Sequence, residues 1–101
     1  MFSAVSPESA IHHCPSQVSE DEYVTLFCNA TGNPPPKVTW ITSGEVLVKD
    51  STYIIPAINR SQAGTYECIA WNGIGNNFTT NCTVDVQCEH IYFKISMLSN
   101  L

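Results

Sequence analysis

Basic side chains are scarce in this sequence: Lys and Arg together number 4, against 9 Asp and Glu, giving a formal net charge of -5. So few cations cannot form the kind of patch that neutralises phosphates, which excludes a nucleic-acid partner. Charge of either sign is thin, at 13% of residues, and the acidic excess reads as a solvated surface. Long apolar runs are also missing. The segment CEHIYFKISMLSNL is interrupted by Lys94 and is too short to span a bilayer. MFSAVSPESAIHH lacks the basic start and apolar stretch of a signal peptide. No window carries the stripe of an amphipathic helix. Chemistry is equally unannounced. There is no Ser, His and acid set in a motif context, no glycine-rich phosphate loop after a strand, and no carboxylate pair at a recognisable spacing. No enzymatic activity, catalytic residue, cofactor or small-molecule substrate is expected. The acidic run Glu20, Asp21 and Glu22 reads as a solvated loop rather than a cation site.

What is present in quantity is cysteine. Cys14, Cys28, Cys68, Cys82 and Cys88 are five among 101 residues, which points to an oxidising compartment. A chain of this length makes one domain whose core is marginal and gains from covalent staples. The periodicity is that of strands. In YVTLFC, Val24, Leu26 and Cys28 alternate with Tyr23, Thr25 and Phe27, and in KVTWIT, Val38 and Trp40 share one face. Tyr66, Cys68 and Ala70 repeat the pattern, as do Val84 and Val86. Turn signals separate these runs: Thr31 to Pro36, Ser43-Gly44, Gln62-Ala63-Gly64 and Asn72 to Gly75. Short strands at such spacing make an antiparallel sandwich or barrel.

The motifs VTLFC, GNPPPKVTW, YIIPAINRSQAGTYEC and AWNGIGN narrow that choice. Together, over about residues 15–87, they resemble an immunoglobulin-superfamily domain of the I-set or C2 kind, as found in tandem-domain adhesion, receptor and matrix proteins. The resemblance implies a Greek-key, immunoglobulin-like antiparallel β-sandwich of seven or eight strands. Cys28 and Cys68, 40 positions apart, would form its inter-sheet disulfide. Trp40 would lie inward between them, and Leu26, Val38, Ile55 and Tyr66 would complete the core. Tyr66, two residues before the second Cys, takes the tyrosine-corner position, bonding back to the backbone upstream. The proline run holds an extended crossing from one sheet to the other. Strands are expected near residues 11–19, 23–29, 37–42, 45–48, 52–58, 64–71 and 77–87. The chain accordingly divides into an N-terminal extension over 1–13, the domain over 14–87, and a C-terminal tail over 88–101, disordered or non-native. Gln62 stands where the family has an Asp that pairs with Arg, so that ion pair is not expected.

In such a fold Cys14 lies near the strand holding Cys82, which makes a Cys14–Cys82 bond reasonable; unpaired thiols and a bond to Cys88 stay open. A metal site from His12, His13 and Cys14, or from Cys88 and His90, is not expected. Adjacent residues on a strand point apart, and neither group has zinc-ligand spacing. Four glycan acceptors occur, at Asn29, Asn59, Asn77 and Asn81, each followed at the second position by Ser or Thr. Strand phase or turn placement sends all four to water. With the cysteines they imply an extracellular module, and hence a fragment of a longer multi-domain protein whose flanking segments would supply secretion and any membrane attachment.

The expected function is protein binding, to itself or to another immunoglobulin-like domain. Outward positions Ile41, Ile69 and Trp71, with Ile74 in the following loop, supply a candidate interface. Glycans on Asn77 and Asn81 would mask the last strand and leave the neighbouring strands open. A structural spacer is the competing expectation.

Overall fold

The computed structural model of the chain describes residues 4–88. Eight strands follow in order: β1 (Val5–His13), β2 (Gln17–Ser19), β3 (Val24–Asn33), β4 (Lys37–Thr42), β5 (Glu45–Val48), β6 (Thr52–Ile55), β7 (Gly64–Trp71) and β8 (Phe78–Gln87). A single 3-10 turn, Arg60–Gln62, joins β6 to β7. One sheet has the order β1-β3-β6, the other β2-β8-β7-β4-β5. The fold is the expected immunoglobulin-like sandwich. One pairing departs from the antiparallel rule: β2 runs parallel to β8.

The core follows from the period of two. Val24, Leu26 and Cys28 of β3 face Trp40 of β4, Tyr66 and Cys68 of β7, and Val84 and Val86 of β8. Trp40 is directly opposite Cys68 in the β4–β7 register, and its indole Nε1 donates to the Ser51 carbonyl at 2.9 Å. This large ring is therefore buried without an orphaned donor. The Cys28–Cys68 disulfide crosses between the sheets with its Cα atoms 6.5 Å apart. Ile55 is buried. Val38, expected in the core, is only half-buried and packs against it. It lies at the start of β4, opposite the small Ala70, where little side chain covers it. Ile58 is fully buried instead, its N–H bonded to the Glu22 carbonyl and its own carbonyl to the N–H of Asp21.

Several boundaries move. The first strand begins well before residue 11: residues 5–13, set apart as an extension, form β1 and pair with β3 from Val5↔Asn33 to His13↔Phe27. The chain then leaves this sheet at Cys14-Pro15-Ser16 and joins the other as β2, so the span expected as one strand is divided between two sheets. Pro15 has no N–H to continue a ladder, which suits it to the crossing. Ser9 of β1 reaches across to Thr80 of β8, hydroxyl to hydroxyl, at 3.2 Å. The strand expected over 52–58 stops at Ile55 for the same reason, since Pro56 follows. The strand expected over 23–29 runs on to Asn33. The tail beyond residue 88 and His90 lie outside the described residues.

Candidate protein-binding face

The outer face of the larger sheet is built by the residues that the core strands point away from it. On β7, Tyr66, Cys68 and Ala70 go inward, so Glu67, Ile69 and Trp71 go outward. The ladder then fixes their neighbours. Lys37 pairs with Trp71, Thr39 with Ile69, and Ile41 with Glu67. Ser43 and Gly44 both adopt positive φ, at 50° and 79°, making the two-residue hairpin that sets Thr42 opposite Glu45 and Ile41 opposite Val46. Lys37, Thr39, Ile41, Gly44, Val46, Ile69, Trp71 and Asn77 line one shallow, open groove across β4, β5 and β7. Trp71 is 53% exposed and Val46 58%. Large apolar side chains are not normally this accessible as neighbours across three strands.

Ile41, Ile69 and Trp71 thus come together, while Ile74 does not join them. It sits half-buried in the turn after β7, and its N–H donates to Asn72 Oδ1 at 3.0 Å. The same Asn72 donates through Nδ2 to the carbonyls of Val5 (2.8 Å) and Pro34 (3.0 Å). One side chain therefore ties three chain segments beside Trp71 and holds that end of the groove in place. Val46, Lys37 and Thr39 were not anticipated. The Ser43-Gly44 turn carried the signal for Val46, because a two-residue hairpin dictates that Ile41 and Val46 are partners.

The sequons distribute over both faces and one corner. Asn29 is exposed on the outer side of β3, and Asn81 is exposed opposite Glu67. Asn59 caps the 3-10 turn, its Oδ1 accepting from the Ser61 N–H at 3.0 Å and from the Ser61 hydroxyl. Gln62 closes the reciprocal half of this capping box, its Oε1 accepting from the Asn59 N–H at 2.9 Å. Asn77 is exposed and lines the groove itself. A glycan there would overhang the open strands rather than mask β8 alone, because the β7–β8 hairpin brings Asn77 alongside Trp71.

The second disulfide joins Cys14 to Cys82, with Cα atoms 6.5 Å apart. It pins the sheet-to-sheet crossing to β8. Cys88 takes part in neither disulfide. Cys14 is consumed by its bond, and the His12 ring lies against Phe27 with centroids 5.7 Å apart. Among the described residues no three His, Cys, Asp or Glu side chains gather as metal ligands would. The acidic run serves the turn before β3: Glu22 Oε2 accepts from the Ser19 N–H at 2.9 Å. The same turn binds the backbone of Ile58, and in the 3-10 turn that follows Ile58 the Gln62 carbonyl accepts from the Tyr66 hydroxyl. Burial, and then the nearby Tyr53, push the Tyr66 phenol above its ordinary pKa of 10.0.

Two sheets bridged by a buried disulfide, a tryptophan opposite one of its cysteines, and a tyrosine bonded back to the preceding turn define an immunoglobulin-type domain. The immunoglobulin domain family model matches residues 6–92, and the chain belongs to that family. It is similar to mouse hemicentin-2, at 44% identity over 68 residues covering 58% of this chain and 1% of that protein. Rat cell adhesion molecule 3 is 30% identical over 86 residues, covering 80% of this chain and 22% of that one. Among solved structures, the complex of Dpr2 Ig1-Ig2 with DIP-Theta Ig1-Ig3 matches with a TM-score of 0.69 at 30% identity, over 82% of this chain and 32% of that one. The chain spans 1% and 22% of the length of these two curated relatives.

Proposed function

We propose that this chain is one extracellular module of a cell-surface recognition protein and that it binds a second copy of itself through the groove on β4, β5 and β7. The observation that carries the reading is the meeting of Ile41, Val46, Ile69 and Trp71 on one accessible face. The charges on that face support a like-to-like contact. Lys37 marks one end of the ladder beside Trp71, and Glu67 lies beyond Ile69 at the other. A two-fold axis through the Thr39–Ile69 row would bring Lys37 of each copy toward Glu67 of the other, with Trp71 enclosed. Immunoglobulin domains held in a protein complex, as in the Dpr2 and DIP-Theta structure, are consistent with recognition by such surfaces. Four sequons and two disulfides suit the outside of the cell.

A spacer is the second reading, favoured by one observation: Asn77 borders the groove, and a glycan there could cover it. Sedimentation velocity over a concentration series distinguishes the two. The oxidised, secreted domain and its Asn77→Gln variant should both dimerise, the variant more strongly, and Trp71→Arg should remain a monomer. A monomer in every case overturns self-recognition and leaves the spacer.

A further inference from the structure

The opposite sheet carries a different arrangement. Along the outer side of β3, Phe27, Asn29 and Thr31 alternate with the inward Cys28 and Ala30, so the acceptor asparagine, its sequon threonine and an aromatic ring stand in one file. Successive members are about 7 Å apart along the strand. We infer that Phe27 is a stacking shelf for the first N-acetylglucosamine of a glycan on Asn29, so that the modification covers an apolar patch and stiffens the sheet.

Four features of the surroundings support this. Phe27 is half-buried on an outer face, so part of its ring remains open to solvent. On its flank the β1 ladder shifts register between Ile11 and His13, and the His12 ring packs against Phe27 with planes inclined at 38°. The ring is thus braced from one side. Beside Asn29 the β1 partner is Ala10, whose single methyl leaves space over the sheet. On the other flank the β3–β6 pairing runs from Val24 to Phe27 and ends with the Cys28 N–H on the Ser51 carbonyl at 3.0 Å, so no β6 residue stands opposite Asn29. A sugar linked to Asn29 can therefore fold back along the strand toward Phe27 without displacing a large side chain. The interaction is a general one: pyranose C–H groups carry partial positive charge, and they lie favourably on the negative face of an aromatic ring.

The remaining strand sequon provides an internal control. Two positions before Asn81, on the same face, stands Thr79, which offers no ring. Glycans at Asn29 and Asn81 should therefore differ in what they contribute, although both asparagines are exposed.

This inference rests on the extracellular reading, because it needs the chain to meet the glycosylation machinery. The test is a double-mutant cycle on the 101-residue chain secreted from eukaryotic cells, with Asn29 occupancy read by glycopeptide mass spectrometry. Thermal midpoints are compared for the parent, Asn29→Gln, Phe27→Thr and the double variant. Removing the glycan should lower the midpoint by about 3–8 °C when Phe27 is present and by much less when it is Thr. Asn81→Gln should show no dependence on residue 27. In the parent protein, protons of the first sugar should move upfield in the NMR spectrum through the ring current of Phe27, a readout that needs no variant to fold. Equal losses with and without Phe27, sugar protons at ordinary shifts, or an unoccupied Asn29 each overturn the shelf. If the cycle shows coupling in the secreted chain but the protein isolated from its native source carries no sugar at any of its four sequons, the extracellular reading fails and the shelf remains a property of the recombinant molecule alone.

Discussion

The two outer faces of the sandwich expose apolar residues to similar degrees but arrange them differently. On the β1-β3-β6 face, Tyr23 is 63% exposed and Ile54 46%. Thr25 separates Phe27 of β3 from Tyr23, the residue just before that strand; Ile54 is paired with that same Thr25, and Thr52 is paired with Phe27. The apolar groups there form a file interrupted by threonine. On the other face, Trp71, Ile69, Ile41 and Val46 lie on three adjacent strands and border one groove. An interrupted file suits a ligand that follows one strand, such as an attached sugar. A patch extended across strands can exclude water from a facing surface, which a protein interface requires. Exposure alone does not separate the two faces; the cross-strand register does.

Both faces depend on one interior, so the largest expected effect should abolish the comparison altogether. Replacing Cys28 and Cys68 together by Ala should lose about 4 kcal/mol, the chain-entropy estimate for a loop of this length. A domain of this size has roughly 5–15 kcal/mol in total. Urea unfolding followed by Trp40 fluorescence should show the midpoint falling sharply, with groove and file lost in a single transition. A variant that unfolds at the parent midpoint would show that the bond carries little of the stability, leaving hydrophobic packing around Trp40 as the dominant restraint.

A smaller effect lies at the corner where the chain passes from β6, in one sheet, to β7, in the other. There Tyr66 donates its hydroxyl proton to the Gln62 carbonyl, and burial followed by Tyr53 raises the phenol pKa. The folded protein therefore holds this proton to higher pH than the unfolded chain does. The resulting stabilisation is complete below the unfolded value near 10 and fades as pH rises through the folded one. Tyr66→Phe should cost about 1 kcal/mol at neutral pH and should remove this component of the alkaline loss. Urea midpoints measured from pH 8 to 11 for the two proteins should converge toward the top of that range. Parallel curves would mean that Tyr66 does not titrate in this interval.

The parts of the molecule that were legible in the sequence share one property: they are fixed by local alternation. β4, β5 and β7 fall at the expected residues because inward Trp40 and Cys68 and the Ser43-Gly44 turn leave little freedom of register. Ile41, Ile69 and Trp71 were placed outward by the same phase. What alternation does not carry is the choice of partner strand. Residues 5–13 lack a strong apolar period, with Pro7 in their midst, and become β1 only because β3 offers a free edge. Ile58 lies past Pro56, outside any strand, and is buried because the turn before β3 binds its backbone. Asn77 was legible as an exposed acceptor, but its place at the groove depends on the β7–β8 hairpin. Ile74 carried an apolar side chain in the right stretch of sequence, yet Asn72 holds its backbone in a separate turn.

The smallest expected change in stability gives the sharpest comparison of the faces. Trp71→Arg and Tyr23→Arg each replace an exposed aromatic ring with a long cation, one on each face, and neither residue belongs to the core. Surface substitutions of this kind usually alter folding free energy by less than about 0.5 kcal/mol, so both variants should unfold near the parent midpoint. Their association should differ. Trp71→Arg places a second cation beside Lys37, its ladder partner, so it introduces repulsion and removes the central ring of the groove at once. Tyr23→Arg leaves all the groove residues unchanged and should dimerise as the parent does. Equal weakening by both variants would indicate that the added charge acts at long range, not through a particular face. Loss of self-association in Tyr23→Arg alone would transfer the interface to the β1-β3-β6 sheet, where a glycan on Asn29 and a second copy of the chain would then compete for the same file of side chains.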